Sequence, residues 1–192
     1  MIRTFIALEL NDSIRNILGG IIRQMAQELP PIRWVDPKGI HLTLAFLGDL
    51  TDEQVAKARQ VAEATAWQVM PFEFRLSHLG VFDSSQYPRV IWVGVDEPSG
   101  ELQQLHRLLN RELEHRGFAV EKRVFSPHLT LARIKVPLNP EERQRLQRLL
   151  VEIKVASSPY HAGRLSVMKS ELLRSGAKYS PLGEYVLGEG RK

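Results

Sequence analysis

The chain has 192 residues, 43% of them hydrophobic, which is enough apolar material to bury the core of one large domain. It contains no cysteine, so disulfides and thiolate zinc sites are excluded, and a reducing compartment, the cytoplasm, is expected. Lysine and arginine outnumber aspartate and glutamate by 26 to 22, a balance compatible with a polyanionic partner without requiring one. No apolar run approaches the roughly 20 residues of a membrane span. The sequence starts on a strand-like segment rather than a charged leader, so we expect neither membrane association nor secretion.

The first half of the sequence predicts the order strand, helix, strand, helix, strand. The apolar run Thr4–Leu10 predicts the first strand, and Asn11 supplies the N-cap of the helix that follows. Ile40–Leu47 predicts the second strand, and Thr51 begins a capping box that opens the second helix. Phe72–Phe82 predicts the third strand.

The second half repeats this order after a turn-like boundary at residues 84–88. Arg89–Val95 predicts a strand, and the leucine-rich helix after it ends at Gly117. Phe125–Ile134 predicts the next strand, Pro140 begins the next helix, and Tyr160–Leu173 covers the last strand region of the repeat. We expect a single two-lobed domain over residues 1–192, with repeats at approximately 1–85 and 88–175 and a C-terminal strand at 179–187.

A five-residue identity supports this duplication. The segment His-Leu-Thr-Leu-Ala starts at His41 and again at His128, a separation of 128 − 41 = 87 positions, and the same predicted elements flank both copies. We therefore interpret the chain as an internal duplication of a β-α-β-α-β unit. A purely structural duplication, in which both lobes need the same core strand, is the alternative.

Strand alternation separates the packing residues of this segment from its polar residues. His41 and Thr43 should point to one face of their strand and the leucines to the other, and the same holds for His128 and Thr130. Core packing explains the leucines. It does not explain a histidine and a threonine repeated at the same positions, so we expect the two polar faces to line one cleft.

Phosphoryl chemistry suits such a cleft. Cleavage of a phosphodiester by water needs a base and an acid on opposite sides of phosphorus, and two histidines can hold both roles near neutral pH. Hydroxyls such as those of Thr43 and Thr130 can donate hydrogen bonds to the non-bridging oxygens. Arg133 could add a charge-assisted contact to the same phosphate. Strict alternation turns Arg133 away from His128, so this role requires the strand to bend or end there.

The two motifs and their surroundings closely resemble one family. The first motif runs from His41 to Gly48 as His-Leu-Thr-Leu-Ala-Phe-Leu-Gly, and the second runs from Ser126 to Arg133 as Ser-Pro-His-Leu-Thr-Leu-Ala-Arg. The supporting flanks are Phe5-Ile-Ala-Leu, Arg33-Trp34-Val35, Arg89-Val-Ile-Trp-Val-Gly94 and Tyr179-Ser-Pro-Leu182. Together they resemble the two-histidine phosphoesterases, and among these the RNA 2′,3′-cyclic phosphodiesterases, also called the 2′-5′ RNA ligase family.

The resemblance implies an α+β fold in which two lobes of antiparallel sheet surround a central groove, with helices outside. It implies hydrolysis of RNA 2′,3′-cyclic phosphate ends to a 2′-phosphate, without metal or cofactor. His41 would protonate the leaving 3′ oxygen and His128 would activate water, while Thr43, Thr130 and Arg133 would bind the phosphate. The partner would be RNA with cyclic ends, such as tRNA halves, and we expect a monomer. Microscopic reversibility allows the reverse joining of RNA through a 2′-5′ bond, although water favours hydrolysis.

The aromatic residues near the motifs are less specific signals. Phe46 stands where the second copy has Arg133, and its parity with the leucines favours a core position over contact with a base. Trp92 lies in an apolar strand and is expected in the core. Trp34 and Tyr179 are better candidates for stacking on bases.

Two other functions remain open from the sequence. The same chemistry could act on a small cyclic nucleotide, or the cleft could belong to a non-catalytic module that binds RNA or nucleotides. The presence of both histidines favours catalysis. The other four histidines show no zinc-binding spacing; His106 and His115 are expected on the surface, and His78 and His161 are not expected in the groove.

Overall fold

The computed structural model describes residues 1–173 and 176–190. The elements in chain order are β1 (Ile2–Leu8), α1 (Asp12–Glu28), β2 (Arg33–Trp34), a 3₁₀ turn (Pro37–Gly39), β3 (Leu42–Leu50), α2 (Asp52–Ala66), β4 (Phe72–Asp83), β5 (Pro88–Asp96), α3 (Glu101–His115), β6 (His128–Arg133), α4 (Pro140–Glu152), β7 (Pro159–Ala162), β8 (Arg164–Leu173) and β9 (Gly176–Val186). The predicted α+β fold with internally repeated units is confirmed. No helix in the described part of the chain is both long and apolar enough to cross a membrane.

The strands form two antiparallel sheets. One has the order β3-β1-β8-β9 and the other β2-β6-β5-β4-β7. Each sheet contains strands from both halves of the sequence. In the first sheet, β1 and β3 of the first half are joined by β8 of the second half, which pairs with β1. In the second sheet, β5 and β6 of the second half are joined by β4 of the first half, which pairs with β5. The equivalent strands β1 and β5, β3 and β6, and β4 and β8 therefore occupy equivalent places, and each sheet depends on both halves of the sequence.

The caps of the helices follow the sequence signals. Asn11 accepts a hydrogen bond from the backbone N–H of Ile14. Thr51 and Gln54 form the predicted capping box, in which each side chain bonds to the backbone of the other residue. Asn139 begins a second capping box, with Pro140 in the first turn of α4. These caps fix where three of the helices begin.

The C-terminal strand region differs from the sequence prediction. The strand region predicted near Tyr160–Leu173 consists of two strands, β7 and β8, that pair with β4 and β1 in different sheets. Hydrophobic periodicity indicates strand structure but does not identify the partner, so the change of sheet at Gly163 could not be predicted from it. The last strand begins at Gly176, a few residues before the predicted start.

Buried apolar residues from both halves form one continuous core. Within it, α3 buries a stripe of leucines at helical spacing and packs against α2 and β3: Leu102, Leu105, Leu109 and Leu113.

Replacing Leu105 with alanine is expected to lower the free energy of unfolding by about 2–5 kcal/mol, because Leu105 has no exposed surface and its removal leaves a cavity. Urea unfolding followed by circular dichroism measures the change. Val151→Ala on α4 is the control, since Val151 is 74% exposed and its loss should cost less than about 0.5 kcal/mol. Equal effects of the two substitutions would contradict the buried position of α3.

Candidate active site

The two motif strands meet where the two sheets come together. β3 is the edge strand of its sheet, β6 is next to the short edge strand β2, and Cα atoms of β3 and β6 approach within 8 Å. His41 directly precedes β3, and His128 is the first residue of β6. The leucines of both motifs are buried while both histidines and both threonines are half-buried, so the predicted division between a core face and a polar face is present.

Each motif strand carries a β-bulge at the same position. Opposite β1, Thr43 pairs with Ala7 and Ala45 pairs with Ile6, so Leu44 is the extra residue. A bulge shifts the alternation of side chains by one residue. The next outward residue, Phe46, therefore returns to the face of Thr43.

The second motif repeats this bulge. Opposite β5, Thr130 pairs with Trp92 and Ala132 pairs with Ile91, so Leu131 is the extra residue. Arg133 consequently lies on the same face as Thr130. Phosphate binding by Arg133 requires the strand to bend or end after Thr130, and the bulge at Leu131 provides that change of direction.

The bulge also corrects the position of Phe46. Its side chain is 51% exposed and lines the groove beside Thr43, so the predicted core position is wrong. The prediction assumed unbroken alternation through Leu44. A bulge is set by the pairing between strands, which the sequence of one strand does not show.

Both histidines are oriented by the same hydrogen bond. Nδ1 of His41 lies 2.8 Å from the carbonyl oxygen of Gly39, and Nδ1 of His128 lies 2.7 Å from the carbonyl oxygen of Ser126. A carbonyl oxygen only accepts, so Nδ1 carries the proton in both rings and Nε2 of each neutral ring has a free lone pair. Among the described residues, none bonds to either Nε2. Both rings are therefore prepared to exchange a proton through Nε2.

Aromatic side chains fix the ring of His41. Phe5 stacks on it with centroids 4.4 Å apart, and Tyr179 meets it edge-on at 4.9 Å. Tyr179 also lies against Gly39, where an added Cβ would come within 3.2 Å of the tyrosine ring. These contacts hold the imidazole and its carbonyl partner in one orientation.

The ring of His128 is held by a second aromatic group. Phe82 meets it edge-on with centroids 4.6 Å apart, and Trp92 lies 6.4 Å away. The Trp92 ring covers Gly80, where a Cβ would come within 2.3 Å of it. Trp92 is only half-buried and shares the face of Thr130, so its predicted core position is wrong. The prediction relied on the apolar sequence of β5, but the side chain of Trp92 lies on the same face of the sheet as Thr130.

Burial lowers the pKa of both histidines. For His41 the hydrogen bond to Gly39 opposes this effect and the positive charge of Arg133 adds to it. For His128 the hydrogen bond to Ser126 opposes it and Arg133 again adds to it. One guanidinium therefore acts on both imidazoles. Since both pKa values lie below 6.5, both rings are mainly neutral at pH 7 in the free protein.

A groove of about 860 Å³ opens beside the first motif. It is lined by His41, Thr43 and Arg133 together with both aromatic candidates, Trp34 and Tyr179. The structure thus brings the arginine of the second motif to the polar residues of the first. Trp34 and Tyr179 line the groove, and their stacking on an RNA base stays a prediction.

The second motif's other polar residues lie outside the lining of this groove. His128 and Thr130 share a strand face with Arg133 but are not part of the groove wall. Among the described residues, the hydroxyls of Thr43 and Thr130 have no hydrogen-bond partner in the protein, so both are free to donate to a ligand.

The remaining histidines lie apart from the motif rings or reach them only indirectly. His106, predicted at the surface, is half-buried because its ring stacks on Phe125 at 3.8 Å. His78 is exposed but meets Trp92 edge-on at 5.4 Å. His161 is opposite Glu73 in the pairing of β4 with β7. Within residues 1–173 and 176–190, no three acidic or histidine side chains cluster as a metal site.

Sequence reasoning missed four cationic residues in the described part of the groove wall: Arg3, Arg33, Lys38 and Lys178. The overall charge balance gave no position for them. Arg33 belongs to a segment that the sequence linked to the family but to no function. Its position beside Arg133 depends on the pairing of β2 with β6.

Comparison with known proteins identifies the family of this chain. Residues 20–170 match the sequence model of the 2′-5′ RNA ligase superfamily. A relative from Methanothermobacter thermautotrophicus, named RNA 2′,3′-cyclic phosphodiesterase, is 30% identical over 186 residues, which cover 97% of this chain and 99% of the relative.

Solved structures share the fold over nearly the whole chain. TT0787 of Thermus thermophilus has a TM-score of 0.83 at 24% identity and covers 99% of this chain and 100% of its own. E. coli LigT in complex with 3′-AMP has a TM-score of 0.72 at 26% identity and covers 98% of this chain and 99% of its own. The family match and these similarities confirm the sequence resemblance, and the chain belongs to the 2′-5′ RNA ligase superfamily.

Proposed function

We propose that this protein hydrolyses the 2′,3′-cyclic phosphate at the 3′ end of RNA to a 2′-phosphate. The observation that carries the proposal is that the two motif histidines make the same hydrogen bond and leave the same nitrogen free. Each donates Nδ1–H to a backbone carbonyl two residues earlier and keeps Nε2 free for proton transfer. Curated relatives with about 30% identity over most of the chain are named for this activity.

The proposed roles of the histidines follow the order of the family motifs. Nε2 of His128 takes a proton from the attacking water, whose oxygen forms the new bond to phosphorus. The bond from phosphorus to the 3′ oxygen breaks, and Nε2 of His41 gives its proton to that oxygen. The resulting 2′-phosphate and 3′-hydroxyl balance the step, and the two imidazoles have exchanged protonation states.

Three further side chains would bind the phosphate. The hydroxyls of Thr43 and Thr130 have no protein partner in the described structure and can donate to non-bridging oxygens. The guanidinium of Arg133 can hold the same group by charge-assisted hydrogen bonds. An anion bound here also stabilises an imidazolium, which raises the pKa of a histidine that burial has lowered. The bound substrate therefore favours the protonated acid that the reaction requires.

The wider setting belongs to the same proposal. The chain would act as a cytoplasmic monomer on RNA with cyclic ends, such as tRNA halves, without metal or cofactor. Reverse joining through a 2′-5′ bond follows from microscopic reversibility, and water displaces that equilibrium toward hydrolysis.

The position of the product phosphate tests the proposal. An end-labelled oligonucleotide with a 2′,3′-cyclic phosphate should give a product with a 2′-phosphate and a free 3′-hydroxyl, and a metal chelator should leave the rate unchanged. The same oligonucleotide with a linear 3′-phosphate is the control and should not react. A 3′-phosphate product would contradict the assigned leaving oxygen, and binding without turnover would favour a non-catalytic module.

Hydrolysis of a small cyclic nucleotide is the second candidate function. The structural relative E. coli LigT has been crystallised with 3′-AMP, so a nucleotide-sized ligand binds within this fold. Comparing a cyclic mononucleotide with an oligonucleotide of the same terminal nucleotide separates the two functions.

A further inference from the structure

The groove carries more positive charge than one phosphate needs. Among the residues that the structure describes, five cationic side chains line it, and none of these is paired with a carboxylate there: Arg3, Arg33, Lys38, Arg133 and Lys178. The one acidic residue among the described lining residues, Asp36, accepts a hydrogen bond from a backbone N–H of the 3₁₀ turn. A terminal cyclic phosphate carries a single negative charge, so it leaves most of these cations without a counter-charge.

Two of these cations are directly opposite each other. Arg33 and Arg133 are register partners in the antiparallel pairing of β2 with β6, which places both side chains on one face of the sheet. Like charges in this arrangement destabilise a sheet. An anionic chain bound across them removes that repulsion.

Arg3 extends the positive surface along β1, away from the motif residues. Ala7 is opposite Thr43, and Arg3 is four residues from Ala7, which is about 13 Å along the strand. The Arg3 guanidinium lies over the ring of Phe46 at 4.7 Å from its centroid. Phe46 is opposite Phe5, which is two residues, or about 7 Å, along β1 from Ala7, the partner of Thr43. The contact with Phe46 therefore holds the Arg3 guanidinium about 7 Å from Thr43 along the strand direction, closer than the Arg3 backbone.

We propose that Arg3, held by Phe46, binds the backbone phosphate on the 5′ side of the terminal nucleotide, so that the substrate is an oligonucleotide rather than a free nucleotide. The inference rests on the proposed function, because the cyclic phosphate is taken to lie at Thr43 and Arg133. Arg3 is a subsite residue for the strand, and Phe46 positions it. The bulge that turns Phe46 outward is therefore part of the subsite.

Substrate length provides the first test. A nucleoside 2′,3′-cyclic phosphate is compared with a dinucleotide and a tetranucleotide that have the same terminal nucleoside. The wild-type protein should show kcat/KM roughly tenfold higher for the dinucleotide, since a charge-assisted contact has this effect or more. The plot of log kcat/KM against log salt should become steeper by about 0.7 for each additional phosphate that is bound.

Substitution of Arg3 provides the second test. Arg3→Met should lower kcat/KM for the dinucleotide roughly tenfold and reduce its salt slope by about 0.7. Its effect on the mononucleotide should be much smaller. Arg3→Lys should keep the salt slope, since the charge remains, and Phe46→Leu should weaken dinucleotide binding less than Arg3→Met. Arg107→Met is the matched control, because it removes the same charge from an exposed position on α3.

Binding gives a readout that does not require turnover. The affinity of a labelled dinucleotide carrying the 2′-phosphate should fall in Arg3→Met and stay unchanged in Arg107→Met. Equal kcat/KM and salt slope for mononucleotide and dinucleotide in the wild-type protein would overturn the inference and leave the proposed function standing. Equal losses on both substrates in Arg3→Met would also overturn it, since Arg3 would then act at the cyclic phosphate. Failure of the wild-type protein to hydrolyse either substrate would refute the proposed function, and the inference with it.

Discussion

Replacing either motif histidine with asparagine is expected to lower kcat for a 2′,3′-cyclic-ended oligonucleotide by about 10²- to 10⁴-fold. The asparagine amide can keep the hydrogen bond that Nδ1 makes to Gly39 or Ser126, so the substitution removes mainly Nε2. Because His41 and His128 are proposed to act in one step, the double variant should be little worse than the worse single variant. Initial rates at saturating substrate measure these effects.

The control for both substitutions is His115→Asn. His115 is exposed at the end of α3, outside the motifs, so this variant should keep wild-type turnover. Thermal unfolding shows whether each variant is folded. Full turnover in folded His41→Asn or His128→Asn would refute the paired-histidine mechanism.

The assignment of acid and base can be tested with an activated diester. A p-nitrophenolate leaving group needs no proton, so His41→Asn should retain a much larger share of wild-type activity on such a substrate than on the cyclic phosphate. His128→Asn should lose activity on both substrates, because the base is still needed. The opposite pattern would exchange the two roles.

The sequence predicted those parts of the site that depend on local periodicity. The face shared by His41 and Thr43 follows from strand alternation, and the caps at Thr51 and Asn139 follow from residue type. The structure confirms these features. It also confirms the duplicated α+β fold, because a repeated order of elements with a repeated motif permits few other arrangements.

The features that the sequence missed depend on which strands are neighbours. Phe46 and Trp92 were both expected in the core, and both lie on the face of the motif residues. In the first case the bulge at Leu44 arises from pairing with β1, and in the second the strand is apolar on both faces. The pairing of Arg33 with Arg133 also joins residues 100 positions apart (133 − 33), which no local pattern indicates.

Arg133 links the two halves of the site electrostatically, which gives the second large prediction. Replacing it with methionine should lower kcat/KM by about 10²- to 10³-fold, because it removes the proposed contact to the charge that develops on the phosphate. It should also move the pH dependence. The positive charge of Arg133 lowers the pKa of both His41 and His128, so both pKa values should rise when that charge is lost.

The direction of the shift follows from the protonation states of the free enzyme. With the proposed roles, kcat/KM rises with pH as His128, the base, loses its proton and falls as His41, the acid, loses its own. Burial and Arg133 lower both pKa values, so the wild-type maximum should lie on the acid side of pH 6.5. In Arg133→Met both limbs should move to higher pH. In Arg133→Lys, which keeps the charge, the profile should stay close to that of the wild type while the rate falls.

Stability provides an independent check of the same electrostatics. Each histidine has a lower pKa in the folded state than in the unfolded chain, so the unfolded chain binds protons more readily as the pH falls through 6.5. The free energy of unfolding of the wild-type protein should therefore decrease below this pH, and Arg133→Met should decrease less. A lower rate in Arg133→Met with neither the pH–rate profile nor this pH dependence changed would mean that Arg133 does not act on both histidines. The two motifs would then lack the electrostatic link through which one arginine, together with burial, lowers the pKa of both motif histidines.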